Sequence, residues 1–319
     1  MAFRYTVVCD SLGYVGYDVL EEPEIVLRAI KDAGYDGADL PCRPGGMDTK
    51  RLRAMLECFD LEVPELLGAW AYHHAKEARS LASADEEERK RGIQYSKQGI
   101  DLCVEMGARF FEICAAQAMV PQVPFPRLPI KHLRTLFLDA TREVCLYAAE
   151  RDIAVLFEPL NRYEAYPGLL TTIEEALALI KALGMPNLGL QPDIYHMYVS
   201  ESSVPDALRL GGKHVRHMHV NETNRRPLGT GHADYKAIVR VLREIGFDGY
   251  CAIYLPLVSQ ELAQLAGRGY GQSGEASAEQ LRLRLPLQPI LEHSIHYMKE
   301  MEHLVDMQRS AYEVGDPYC

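Results

Sequence analysis

The chain has 319 residues, 34 Lys and Arg against 45 Asp and Glu for a net charge of −11, and a hydrophobic fraction of 48%. That composition is globular and excludes disordered, collagen-like and fibrous classes. The acidic balance argues against a nucleic-acid or anionic-membrane surface, since both need clustered Lys and Arg. No run of about 18 apolar residues offers a transmembrane helix.

The N-terminus runs directly into a strand-like segment and lacks the apolar core and cleavage site of a signal peptide. The eight cysteines are scattered, with no CxxC pair. The expectation is reduced, mostly buried thiols in a cytoplasmic protein.

Short β-rich runs alternate with amphipathic segments along the chain. Strands are expected at 5–9, 36–40, 61–67, 109–114, 153–158, 188–191, 215–220 and 250–255. Several are almost continuously apolar, as when both faces of a strand are buried. Between the second and third, Asp48 caps a helix with Leu52, Met55, Leu56 and Phe59 on one face. The run Asp85-Glu-Glu-Glu-Arg-Lys-Arg91 reads as a solvated helix start, acids first as the helix dipole favours. Thr172 and Glu175 form a capping-box pattern before Leu177 and Ile180, and Gly184 and Pro186 stop that helix. Asp234 opens another, with Ile238, Val241, Leu242 and Ile245 on one face and Gly246 at its end.

Eight strands alternating with helices imply parallel βα units. An open doubly wound sheet competes with a closed (β/α)8 TIM barrel. Eight units without a GxGxxG fingerprint after the first strand favour the barrel. No linker divides the chain, so residues 1–319 are expected to form one α/β domain. An excursion at 256–289, Gly- and Ser-rich at 267–274, is expected as an insertion on the catalytic face, acting as a lid or docking a partner.

In a barrel, side chains just past the C-terminal ends of the strands converge on one mouth. The fifth strand ends Ala154-Val-Leu-Phe-Glu158, followed by Pro-Leu-Asn-Arg-Tyr-Glu164. The sixth ends Gly189-Leu-Gln-Pro-Asp193, followed by Ile-Tyr-His196. The seventh is Val215-Arg-His-Met-His219. Two hard oxygens and one imidazole make a borderline divalent site suited to Mn²⁺, Mg²⁺ or Co²⁺, and less to Zn²⁺. His217 shares a face with His219 and reads as supporting structure. Glu112 and Gln117, in and after the fourth strand, are further candidates for the mouth. Trp70 and His73 follow the third strand, where an aromatic wall would stack on a sugar face. Glu222 reads as solvent-exposed, and the Gly229-Thr-Gly231 loop as shaping the mouth.

These stretches resemble the sugar phosphate isomerase/epimerase superfamily, the xylose isomerase-like TIM barrels. Within it the motifs are most similar to ketose 3-epimerases of the D-tagatose and D-psicose type. The carrying segments are Glu158-Pro-Leu-Asn-Arg-Tyr-Glu164, Gln191-Pro-Asp-Ile-Tyr-His196 and His219-Val-Asn-Glu-Thr-Asn-Arg225, with Gly246-Phe-Asp-Gly-Tyr-Cys-Ala-Ile-Tyr254. The resemblance implies Glu158, Asp193 and His219 as metal ligands and Glu158 and His196 as catalytic groups. It further implies that Glu164 and Arg225, with Trp70 and His73, bind substrate. It implies a sugar substrate, no nucleic-acid or membrane partner, and a homo-oligomer.

One position departs from the pattern. The eighth strand of such barrels usually ends in a Glu, which serves as fourth ligand and second acid/base; here it ends in Tyr254. Tyr254 would then act as tyrosinate ligand or as acid. Otherwise a carboxylate such as Glu261 or Glu292 swings in, or the chemistry needs one base only. The resemblance implies an isomerase or epimerase of a keto sugar, abstracting a proton next to a carbonyl through a metal-stabilised enediolate. Two alternatives stay open: lyase-type elimination on a 3-keto-glycoside or keto-cyclitol, and a sugar-binding barrel without catalysis.

Overall fold

The computed structural model describes residues 2–68, 79–116, 129–165, 168–256 and 284–314. Its strands are β1 (Arg4–Val8), β2 (Gly37–Pro41), β3 (Glu65–Leu67), β4 (Phe110–Ile113), β5 (Ala154–Phe157), β6 (Leu188–Leu190), β7 (His217–Val220) and β8 (Tyr250–Ile253). All eight pair in parallel in the order β6-β5-β4-β3-β2-β1-β8-β7. Isolated parallel bridges Leu190↔Val215 and Asp193↔His219 join β6 to β7 and close the ring. The molecule is a (β/α)8 TIM barrel, as the alternation of elements predicts.

The helices outside the sheet are α1 (Pro23–Asp32), α2 (Thr49–Phe59), α3 (Glu86–Met106), α4 (Ile130–Ala149), α5 (Ile173–Leu183), α6 (Ile194–Ser200), α7 (Val204–Gly211), α8 (Tyr235–Glu244) and α9 (Leu287–Val314). The expected caps form. Asp48, Asp85, Thr172 and Asp234 each accept a hydrogen bond from the third backbone N–H beyond them. The capping box at α5 closes differently, since Glu175 Oε2 accepts from the N–H and hydroxyl of Thr171 rather than from Thr172. The short helices α6 and α7 were not signalled by periodicity. They arise from the local caps Asp193 and Ser203, which accept from His196 N and Asp206 N.

One large apolar core fills the space between the sheet and its helices, with Phe111, Phe137, Phe157, Leu40 and Leu66 fully buried. Helix α9 packs against α1 and α8. It is fastened from below by Glu302, whose two oxygens accept from Phe3 N at 3.1 Å and the Tyr5 hydroxyl at 2.6 Å. Seven cysteines are free thiols, six buried and Cys58 exposed. No helix among the described residues is long and apolar enough to cross a membrane. Most of the 256–289 excursion, residues 257–283, lies outside the described residues, as do Trp70, His73, Gln117, Glu261 and Cys319.

Gly37 is where the backbone is closest. It pairs with Thr6 of β1 and bridges Glu62, and a Cβ there would lie 2.3 Å from the Glu62 carbonyl oxygen. Backbone on both sides cannot retreat, so Gly37→Ala is expected to destabilise the fold by about 1–3 kcal/mol or more. Gly46→Ala, with nothing nearer than 3.6 Å, is expected to stay within ~0.5 kcal/mol of the parent. Paired chemical-denaturation curves check both.

Candidate metal centre

Parallel strands in a closed barrel place every second side chain inside. Barrel interiors are ordinarily filled with Val, Ile and Leu. Here the inside carries charge-bearing groups instead. Asp39 on β2, Glu65 on β3, Glu112 on β4, Glu158 just past β5 and Asp193 past β6 are all fully or almost fully buried, with His217 and His219 of β7. Five successive strands each contribute a carboxylate to one interior.

The ligand-type atoms fall into overlapping groups, each with all members within 4.8 Å of one another: Glu158, Asp193 and His196; Glu112, Glu158 and His219; Asp39, Glu65, His217 and His219. Glu158 joins the first two. The trio expected from the sequence does not form one such group: Glu158 meets Asp193 in one and His219 in the other. Glu158 Oε1 lies 3.0 Å from His219 Nδ1, while Glu158 Oε2 has no hydrogen-bond partner. The His219 Nε2 side faces Glu65 Oε2 at 3.5 Å and the Gln191 side-chain amide.

Asp193 and His219 face each other across the β6–β7 seam. The backbone N–H of His219 donates to the Pro192 carbonyl at 2.9 Å, so the contact that closes the barrel also seats both side chains. Asp193 has a second structural task at the head of α6, where Oδ1 accepts from His196 N at 2.9 Å. Its Oδ2 accepts from the Asn221 side-chain amide at 2.9 Å.

Electrostatics follow from burial. Burial pushes the Glu158 carboxyl up to about 8; repulsion from Asp193 and Glu65 adds to this, while contact with Glu112 and the Arg225 charge restrain it. Burial likewise raises Asp193, against the pull of Arg225 and His219. Burial opposes protonation of His219, but the nearby Glu65 carboxylate, helped by Glu112 and Asp193, outweighs it and the group titrates above its ordinary value. His196 is driven well below its ordinary value by burial and stays neutral. Its tautomer follows from its partners. The backbone N–H and side-chain amide of Asn161 reach Nδ1 at 3.2 and 2.7 Å, so Nδ1 accepts and Nε2 carries the proton. The Asn161 side-chain Oδ1 is held in turn by the N–H groups of Tyr163 and Glu164 at 3.0 and 3.1 Å.

Above this centre lies a rim. Arg225 Nη2 donates to Glu164 Oε2 at 2.9 Å, and its guanidinium stacks on the Tyr195 ring at 3.8 Å. The Tyr195 hydroxyl donates to the other oxygen of Glu164. The two residues expected to bind substrate are thus paired with each other at the mouth. Tyr14, Asn221, Arg225, Tyr254 and Leu255 line a small cleft there. Tyr254 stands at the end of β8 with its ring edge-on to His219, centroids 5.1 Å apart. Burial holds its phenol well above the ordinary value. Glu292 engages Gln288 on its own helix α9 at 3.0 Å.

Of two further readings of the sequence, one needs adjustment. His217 belongs to an inner layer, with Nε2 2.7 Å from Asp39 Oδ2, which also accepts from the Thr6 hydroxyl at 3.1 Å. That agrees with its supporting role. Glu222, expected at the surface, is buried at 1% exposure. It accepts from the N–H groups of Thr223, Gly229 and Ala233 at 2.8, 3.0 and 3.3 Å, and from the Thr223 hydroxyl at 3.1 Å. Four donors satisfy the carboxylate, which is why it is inside. Asn161 and Asn221 were missed as organisers. Asn161 sat in plain view within the Pro-Leu-Asn run after β5, whereas nothing in the sequence marks Asn221 as the partner of Asp193.

Fold and site together define a (β/α)8 barrel whose ionisable groups gather at the C-terminal ends of its strands, where such barrels carry catalysis. The chain belongs to the xylose isomerase-like TIM barrel family, whose sequence profile matches residues 27–271. It is 26% identical to a ketose 3-epimerase of Arthrobacter globiformis over 264 residues, covering 81% of this chain and 87% of that protein. It is 25% identical to 3-dehydro-D-guloside 4-epimerase of Escherichia coli over 235 residues, 72% of this chain and 86% of that one. The solved structure of an L-ribulose 3-epimerase superposes with a TM-score of 0.79 at 22% identity, covering 98% of each chain.

Because Glu222 accepts from four donors of the 221–233 loop, Glu222→Ala is expected to cost about 1–3 kcal/mol. Hydrogen exchange at the Gly229 and Ala233 amides is expected to speed up, measured by mass spectrometry beside a denaturation curve.

Proposed function

We propose that the protein is a divalent-metal-dependent epimerase of a keto sugar or sugar derivative. The observation that carries this reading is the fully buried Glu158 carboxylate, its Oε1 against His219, its Oε2 without a hydrogen-bond partner, beside Asp193 at the mouth of a xylose isomerase-like barrel. The relatives support it. By the positions in their names, a ketose 3-epimerase and a 3-dehydro-D-guloside 4-epimerase both invert a carbon next to a carbonyl. Both relatives are epimerases, which favours epimerisation over elimination.

The residues suit an ion. Two carboxylates and an imidazole are the donor set of Mn²⁺, Mg²⁺ or Co²⁺, and a buried carboxylate oxygen without a donor is one that a cation would satisfy. Glu158, Asp193 and His219 would hold it, with Mn²⁺ the proposed occupant. When bound, such an ion supplies the positive charge that stabilises the anion formed by deprotonating the carbon next to the carbonyl.

This chain's own groups do the rest. Glu158, ionised once a cation offsets the cost of its burial, takes the proton with its unengaged oxygen. His196, neutral and carrying its proton on Nε2, donates toward the carbonyl oxygen. Tyr254, a buried phenol beside His219, returns a proton to the planar intermediate in place of a second carboxylate. Arg225, Glu164 and Tyr195 form a rigid rim that offers donors and acceptors to sugar hydroxyls. Trp70 and His73, following β3, are proposed for the same wall.

Solvent-deuterium exchange followed by NMR tests this. With Mn²⁺ and a panel of ketohexoses, ketopentoses and 3-keto-glycosides, the wild-type chain is expected to label the inverted carbon of at least one. Glu158→Gln is expected to slow labelling by about 10²–10⁴-fold. Wild-type labelling by Glu158→Gln would overturn the role of Glu158, and no labelling of any substrate by the wild type would overturn the function.

A further inference from the structure

We propose that Glu112 of β4 is a fourth protein ligand to the divalent ion, completing a set with Glu158, Asp193 and His219. This rests on the metal-dependent reading above.

Register puts Glu112 in place. It pairs with Leu156 of β5, so its side chain shares the inward face with Leu156 and with Glu158 two residues further on. Glu112 and Glu158 are both fully buried. A ligand-type atom from each of Glu112, Glu158 and His219 lies within 4.8 Å of the other two. With metal–ligand bonds of roughly 2.1 Å, an octahedral ion holds its ligands roughly 3 Å apart when adjacent and 4.2 Å apart when opposite. The three atoms therefore already stand close to the spacing of one coordination sphere. Glu158 also belongs to the group with Asp193 and His196, so it is the residue common to both.

A second observation points to a cation at this spot. Glu158 Oε2 is buried and has no hydrogen-bond partner, though it is enclosed by the other carboxylates of the interior. Glu65 plays a different part. It faces His219 from the Nε2 side, at 3.5 Å, while Glu158 faces Nδ1. That is the geometry of a carboxylate orienting an imidazole rather than of another ligand to the same ion. The ligand set so formed comes from four consecutive strands, β4 to β7, and leaves the β8 position to the phenol of Tyr254.

Mn²⁺ titration of the purified full-length chain, read by EPR of the free ion, tests the assignment without reference to turnover. Glu112→Gln is expected to weaken Mn²⁺ binding by about 10–100-fold or more and Glu112→Asp by less. Glu158→Gln sets the scale for loss of a ligand of the proposed function. If Glu158→Gln binds Mn²⁺ weakly while Glu112→Gln and Glu112→Asp both bind like wild type, the Glu112 assignment falls and the metal-dependent reading stands. If the wild type binds no Mn²⁺, both fall. Should Glu112→Gln not fold, a crystal structure of the wild type with Mn²⁺ decides directly. A Glu112 oxygen at about 2.0–2.3 Å from the ion supports the assignment, and one beyond about 3.5 Å overturns it.

Discussion

Everything at the centre of this molecule follows from placing carboxylates side by side where water does not reach. Asp39, Glu65, Glu112, Glu158 and Asp193 come from five neighbouring strands and are buried inside the barrel. An ionised carboxylate taken from water costs several kcal/mol unless protons, donors or cations compensate. Some compensation is built in: the Thr6 hydroxyl and His217 serve Asp39, His219 lies beside Glu65 and Glu158, and Asn221 and the α6 N-terminus serve Asp193. It is incomplete, because oxygens of Asp39, Glu65 and Glu158 are left without hydrogen bonds. A barrel interior short of positive charge is poised to take up a proton or a metal ion, and both are the currency of deprotonation next to a carbonyl.

Closure of the barrel and construction of the site are one event. The bridge Asp193↔His219 completes the ring and aligns an acid with an imidazole. Asp193 also starts α6, which sets His196 one turn away with its Nδ1 on Asn161. A change at Asp193 therefore acts on strand pairing, on a helix start and on the ion-binding groups together. Its effects on binding and on stability cannot be separated by that substitution alone.

The rim is organised on the same principle with less exposure to cost. Glu222 binds the 221–233 loop through four donors, and Arg225, held in the left-handed region with φ 55°, is clamped between Glu164 and the Tyr195 ring. Rigid presentation of a guanidinium and a carboxylate suits recognition of hydroxyls better than mobile side chains do, since the ordering cost is met before substrate arrives.

The sequence by itself determined the alternation of strands and helices, the caps Asp48, Asp85, Thr172 and Asp234, and the arrival of Glu158, Asp193 and His219 at three successive strand ends. These are local properties: a capping side chain bonds a backbone three residues away, and a strand end is marked by the break in an apolar run. Tertiary structure alone decided which residues meet. Parallel strands buried on both faces carry no polar alternation, so nothing local marks Glu65 as inward-facing, and Glu112 could be named as a candidate for the mouth but given no neighbours. Register with β5 and β4 supplies both. Glu222 looked like a surface acid because its partners, Gly229 and Ala233, lie 7 and 11 residues further along the chain. Tyr254 could be located but not assigned a neighbour until the closed ring set it against His219, because contact across a barrel depends on curvature and stagger that no single segment encodes.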